Sequence, residues 1–135
     1  MMPAATTAGG TFMAMPDTCN TPAAGGAPTP TPFPNMAQGA AALNTSTNVL
    51  IENMPIVVEG AKIPSSNGDE SGVMGGVVSG LIMGEVAPKV FSSTVYAGGK
   101  KIAYLTGVSG HNGVNANAPA GAMIVPSQVR VTVGF

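Results

Sequence analysis

Charge is what this sequence has least of. Asp, Glu, Lys and Arg make up 8% of its 135 residues, against about a quarter in an ordinary soluble domain. A net charge of −1 leaves no electrostatic footprint for nucleic acid or for an anionic membrane surface. Disorder is excluded as well, because it pairs high net charge with low hydrophobicity, whereas 44% of this chain is hydrophobic. With Cys19 as the one cysteine, no disulfide staples the fold, and stability has to come from packing or from a partner. The amino terminus, MMPAATTAGGTFMAMPD, lacks Lys, Arg and any sustained apolar run. It does not read as a secretory signal peptide, so a route out of the cell would bypass general export. The length points to a single domain, 1–135.

What the chain has in abundance is glycine and proline, 19 and 12 of them. A long helix would lose about 1 kcal/mol per interior glycine and about 3 per proline, so strands and turns are expected instead. The stretch SSNGDESGVMGGVVSGLIMG, residues 65–84, tests this. It has the GxxxGxxxG spacing of Gly76, Gly80 and Gly84, but its uncharged run, 71–84, is too short to cross a membrane, which takes roughly 18–20 apolar residues. A phosphate-binding loop would need a Gly-Lys-Ser/Thr ending, and no lysine is present. The remaining reading is conformational. Asn67-Gly68 marks a tight turn, Gly75, Gly76, Gly80 and Gly84 allow close backbone approach, and Val77 to Met83 forms a short strand.

Three zones follow along the chain. Residues 1–36 are dominated by prolines at 28, 30, 32 and 34, which favour an extended, polyproline-like path. Phe12 and Phe33 would anchor this segment as an arm laid over the surface rather than a free linker. Residues 37–48 promise little structure beyond one helical turn. The body, 37–135, contains a weak repeat: TNVLIENMPIVVEG (47–60) aligns with STVYAGGKKIAYLT (93–106). Each copy is an apolar run, a two-residue turn and a second apolar run, the pattern of a β-hairpin. The C-terminal SQVRVTVGF places Val129, Val131 and Val133 on one face of a strand. The fold class is mostly β, built from short hairpins.

With the hairpins in view, the sequence resembles the PAAR-like spike-tip family. FMAMPDTCNTPAAGGAPTPTPFPN is similar to that family's opening run, IPSSNGDESGVMGGVVSGLIMG to its Asn-Gly-Asp-Glu and paired-glycine segment, and VYAGGKKIAYLTGVSGHNGVNANAPAGAMIVPSQVRV to its last hairpin and closing strand. The resemblance implies a small cone of hairpins that caps a trimeric β-helical, valine-glycine-repeat spike in a type VI secretion system or a related contractile injection machine. It implies a tip that sharpens the spike, touches the target membrane transiently and links effector or toxin proteins to it. Such a tip is made in the bacterial cytoplasm and ejected from the apparatus. Ending at Phe135, the chain would stand alone as a tip; the alternative is an effector-loading adaptor whose main client is cargo. Apolar residues of the hairpins and arm, namely Phe12, Phe33, Val49, Ile51, Val95, Val129 and Val131, are candidates for the docking base as well as for the core.

Tips of the founding PAAR type hold zinc through three histidines and a cysteine. Only Cys19 and His111 are available here, and Asp17 or Asp69 would have to complete a four-ligand shell. The expectation is no cofactor, with Cys19 a small buried hydrophobe and His111 a turn residue. Nor does any nucleophile elbow frame a serine next to His111. Asp69-Glu70 read as turn-capping groups and Lys100-Lys101 as a solvated hairpin tip. No enzyme is expected.

Overall fold

Proline at every second position, from Pro28 to Pro34, decides where this segment can sit. In a strand, alternate residues turn their backbone N–H to the same side, so a period-two proline run lacks donors on one side only. The computed structural model, which describes residues 2–22 and 25–134, uses that asymmetry. Strand β2 (Thr11–Pro22) pairs antiparallel with β3 (Pro28–Gln38), with Thr31 opposite Cys19 and Thr29 opposite Thr21. Pro30 and Pro32 lie opposite Asn20 and Thr18, whose backbones turn the other way. There the Asn20 N–H donates to the Gly75 carbonyl (2.8 Å), and the Met74 and Val77 N–H groups donate to the carbonyls of Asn20 (3.1 Å) and Thr18 (3.0 Å). The proline-rich segment is therefore an edge strand, not an arm over the surface, and its missing donors fall along the outer edge, where further pairing is blocked. Ala23 and Ala24 of that segment, and Phe135, lie outside the described residues.

Strand β2 continues into the centre of a five-stranded sheet. Three further strands, β6 (Ala87–Pro88), β9 (Val108–His111) and β10 (Ala118–Val125), complete the order β3-β2-β10-β9-β6. Between Ala118 and Gly121 the register of β10 slips, and β2 bulges between Ala14 and Asp17. The only helical element among the described residues is a 3-10 turn, Gly39–Ala41.

The two expected hairpins are present. Strand β4 (Leu50–Ile51) pairs with β5 (Met54–Pro55) through Glu52-Asn53, and β7 (Tyr96–Ala97) pairs with β8 (Lys100–Lys101) through Gly98-Gly99. Both central pairs have positive φ, 51° and 66° in the first and 60° and 82° in the second, as a type I′ turn requires. A third copy had no signal in the sequence, because the two ends of the chain build it. Strand β1 (Met2–Pro3) pairs with β11 (Thr132–Val133), Met2 opposite Val133 as Met54 is opposite Ile51 and Lys100 opposite Ala97.

The segments that follow β1, β5 and β8 close into a ring. The Ala5 N–H donates to the Ala103 carbonyl, Ala103 to Val57, and Val57 to Ala5, each at 2.9 Å. Around it, Thr7 donates to Pro55, Glu59 to Lys101 and Leu105 to Pro3, again each at 2.9 Å. The bridges Ala4 to Tyr104, Thr6 to Ile56 and Val58 to Ile102 obey the same rotation. One chain thus makes a pseudo-threefold triangle. Ala5, Val57 and Ala103 face one apolar cluster with Phe12, Ile63, Val86 and Met123. Ala4, Ile56 and Ile102 face another with Ile51, Ala97, Tyr104 and Val133, on the side of the three hairpins.

One expected strand is absent and another is shortened. Residues 77–83 are turns and bends, with Val77, Val78 and Leu81 exposed, because Gly75 and Gly80 adopt φ of +90° and +73°, outside the extended region. The C-terminal strand shrinks to Thr132–Val133. The Gln128 side chain turns the chain by accepting from the Arg130 and Val131 N–H groups, so Val129 and Val131 are exposed while Val133 is buried.

Candidate functional site

Beyond the cluster of Phe12 and Met123, away from the hairpins, β2 changes character. Its bulge, with a cis bond at Met15-Pro16, brings Asp17 and Cys19 into a core that is polar. Asn35 enters from β3, Ser66 and Asp69 from the following loop, Ser109 and His111 from β9, and Asn112 and Asn117 from the turn before β10. Asp17, Cys19, Asn35, Asp69, Ser109, His111 and Asn112 are wholly inaccessible to solvent. Among the described residues no buried side-chain nitrogen or oxygen lacks a partner, as burial of polar groups demands.

Asp17 is the hub. Its carboxylate accepts from the amides of Asn35 (3.1 Å), Asn112 (3.2 Å) and Asn117, and from the Cys19 thiol (3.7 Å). Asn35 also donates to Ser66 (2.9 Å), whose hydroxyl donates to the Gly84 carbonyl (2.7 Å). Because the Asn35 amide nitrogen is committed to these acceptors, its carbonyl is left to accept, so His111 Nδ1–H donates to it at 2.8 Å. The Ser109 hydroxyl then donates to His111 Nε2 at 2.9 Å. Asn117 and Asn112 turn their carbonyls to the glycine loop, accepting from Val78 N–H (2.7 Å) and Gly84 N–H (2.9 Å). Asp69 accepts from Met83 N–H (3.0 Å).

The charges follow from this packing. Burial holds His111 down at about 4, so the ring is neutral, even though the nearby Asp17 charge pulls the other way. Burial first, and then Asp17 and Asp69, push the Cys19 thiol up to about 12. Asp69 is raised to about 6, mostly by burial and by its hydrogen bond with Asp17.

The glycines make room for the network. A Cβ on Gly76 would lie 2.4–2.7 Å from the Asn117 amide, one on Gly84 2.7 Å from Asn112 Oδ1, and one on Gly121 2.4 Å from the His111 ring. Backbone-to-backbone approach, the expected reason for these glycines, holds at Gly68 against Pro34, at Gly75 against Gly80, and at Gly84, where a Cβ would also lie 2.9 Å from the backbone of Asn112 and Gly113. Gly80 itself has open space around it. Asn67 is not in a tight turn but is bridged to Met36 through two backbone hydrogen bonds. Glu70 caps Gly68 N–H as expected (2.6 Å), whereas Asp69 belongs to the buried network.

His111 is consequently no turn residue, and Cys19 is more than a small hydrophobe. Sequence reasoning missed Asn35, Asn112 and Asn117; the cue was the amide density of HNGVNAN and the Asn that ends the proline run. Ser109, His111 and Asn35 reproduce the order of a hydroxyl–imidazole–amide relay, but all three are sealed. A surface cavity of about 440 Å³, lined by Met15, Pro30, Val77, Val78 and Ala118, reaches Asn117 and stops short of Ser109 and His111.

Three of the candidate zinc donors come together without the fourth. Asp17, Cys19 and Asp69 bring ligand atoms within 4.8 Å of one another, but His111 is outside that group and both its ring nitrogens are engaged.

The expected docking residues divide. Phe12 and Ile51 belong to the two apolar clusters and offer a partner no face, and Val95 is half-buried against the second cluster. Phe33 is half-buried over Gly72, against which a Cβ would come within 3.1 Å of its ring. Val49, Val129 and Val131 are exposed on the hairpin side. No curated protein and no solved structure matches the chain. A family model, the Toxin PAAR-like domain, matches residues 10–119, from the start of β2 through the polar core. The chain belongs to the Toxin PAAR-like domain family.

Proposed function

We propose that this chain is a non-catalytic tip that caps the blunt end of a trimeric β-helical spike in a contractile injection machine and links effectors to it. The observation that carries this reading is the pseudo-threefold triangle. A single polypeptide repeats one hydrogen-bonding pattern three times about an axis, which suits it to meet three identical chains with equivalent contacts. Family membership supports the same reading. On the hairpin side, Val49, Val95 and Val131 occupy equivalent positions, as do the exposed Leu50, Tyr96 and Thr132. This triad of apolar ridges is the docking base, and one tip serves one trimer.

No reaction is assigned to the polar core. Its serine and histidine are sealed, every donor and acceptor is satisfied within the fold, and the proposal includes neither catalysis nor a metal. The core's role is to hold the glycine loop, 67–84, against β2. An adaptor role has its own supporting observation, the exposed β2–β3 tip at residues 25–30 beside the cavity of Met15 and Pro30.

Sedimentation of the full chain with its trimeric spike protein tests the main reading. The expected complex has one chain per trimer, and Val49→Glu with Val131→Glu weakens it by about tenfold or more. A ratio of three chains per trimer, or unchanged binding by that variant, removes the case for the threefold base.

A further inference from the structure

Two strand irregularities face each other across the five-stranded sheet. Strand β2 bulges between Ala14 and Asp17, and β10 slips register between Ala118 and Gly121. The ladder between these two strands joins Thr11–Met13 to Ala122–Val125 and stops there. Pro16 and Pro119 stand in the two gaps, and neither has an N–H with which to continue it. The strands therefore splay, and the opening is the cavity of about 440 Å³ beside Met15 and Val78. Its frame is held from below. The Asn117 amide donates to the Thr18 carbonyl (2.9 Å) and accepts from the Val78 N–H (2.7 Å), and the Val77 N–H donates to the same Thr18 carbonyl (3.0 Å). A preformed space of this size suits a binding site, and bulges that re-aim a strand commonly stand beside one.

The walls select the occupant by their chemistry. No charged residue lines the cavity, so an ionic side chain would be desolvated there without a partner. Three proline rings from three separate segments, Pro16, Pro30 and Pro119, converge on it with the Met15 thioether. Proline rings and thioether sulfur both pack favourably against aromatic rings. Of the two polar residues in the wall, Asn117 has its amide committed within the fold. Thr18 is left to meet the single N–H or O–H that a buried Trp or Tyr has to satisfy.

We propose that this cavity is the receptor for one aromatic side chain, Trp or Tyr, carried by a partner protein. The proposal deepens the adaptor reading and rests on it for the partner being cargo. A free small molecule fits less well, because it would leave the exposed Met15, Val77 and Val78 around the mouth in water, whereas a protein surface covers them. A second copy of the chain fits less well too. Among the described residues its strongly exposed aromatic side chain is Tyr96, 54% accessible, which belongs to β7 with the hairpins.

Titration of N-acetyl-tryptophanamide with the purified full chain is the test. The chain has no tryptophan, so indole emission comes from the probe alone. The expected result is a blue shift that saturates with a dissociation constant on the order of 1 mM or tighter, and N-acetyl-leucinamide competes at least about tenfold more weakly. Ala120→Leu, which puts a branched side chain into the cavity, weakens probe binding by about tenfold or more. Val77→Ser with Val78→Ser, which strips one wall, does the same. Both keep the melting curve of the unaltered chain, and Val129→Ser with Val131→Ser leaves binding intact. Absence of a saturable shift, equal competition by the leucine amide, or loss in the Val129/Val131 variant instead overturns the inference. So does self-association of the chain that Ala120→Leu abolishes, which makes a second copy the occupant. Effector release by cells whose chain carries Ala120→Leu separates the two readings. Probe binding with unchanged release sustains the aromatic receptor and sinks the adaptor reading; lost release in a chain that never bound the probe does the reverse.

Discussion

Phe12 and Asp17 are close neighbours on one strand, yet each sits at the centre of a different kind of interior. Around Phe12 the chain buries Ile63, Val86 and Met123 and is held by area alone. Around Asp17 it buries a second carboxylate, a thiol, an imidazole and three amides, held by directional bonds. Apolar packing tolerates volume-conserving exchange, but a buried hydrogen-bond network fails when one acceptor is removed, because its donors are then stranded. The polar core is thus the more brittle of the two, and its surface can be apolar because its polarity is turned inward.

The largest expected effect breaks the hub. Asp17→Ala strands the amides of Asn35, Asn112 and Asn117 and should cost about 5 kcal/mol, at roughly 1–3 per orphaned donor. Phe12→Ala, the matching change in the apolar core, should cost about 3–4 kcal/mol. Denaturant unfolding of both ranks the two interiors, and an Asp17→Ala variant more stable than Phe12→Ala would invert the comparison. A glycine pair sharpens it further. Gly76→Ala forces a Cβ into the Asn117 amide and should cost about 2 kcal/mol. Gly80→Ala meets no neighbour and has only its φ of +73° to overcome, at about 1 kcal/mol. Equal melting temperatures would mean that the loop, not the amide, takes up the added methyl.

The smallest effect is acid dependence, because two buried groups oppose each other. His111, held at about 4 against an ordinary 6.5, makes the folded state lose stability as pH falls from 6.5 to about 4, since only the unfolded chain takes up that proton. Asp69, raised to about 6 from 3.8, acts with the reverse sign: as pH falls through about 6 the folded chain protonates first, and stability rises until 3.8. Thermal melts of the unaltered protein should change little between about pH 7 and about pH 5. Asp69→Asn removes the second contribution, so its melting temperature should drop over the same interval. A flat profile for that variant would mean that His111 is not held neutral.

Much of the hairpin side was legible. Gly98-Gly99 marks a two-residue turn because glycine tolerates the positive φ such turns need, and Glu52-Asn53 is found by its alignment with that pair and by the apolar runs on either side. The third hairpin was not legible, since Met2–Pro3 and Thr132–Val133 lie at opposite ends of the chain and neither contains a turn. The loop at 77–83 was read as a strand because its Val, Leu and Ile satisfy a strand pattern locally; the left-handed glycines at 75 and 80 override it. At the other end, Cys19 and His111 were seen but their surroundings were not. An asparagine's burial leaves no periodic trace, so nothing singled out Asn35, Asn112 and Asn117.

From the sequence alone came the class of the molecule: dense glycine and proline exclude long helices, and a lone cysteine excludes an internal disulfide scaffold. Those are properties of composition and of local backbone preference, which need no partner segment to be expressed. Tertiary structure decided the threefold triangle, the placing of the proline run at a sheet edge, and the turning of polar groups inward at one end. Each of these depends on hydrogen bonds between residues far apart in the chain, Ala5 with Ala103 or Asn35 with His111, and no local pattern encodes which distant groups will satisfy one another.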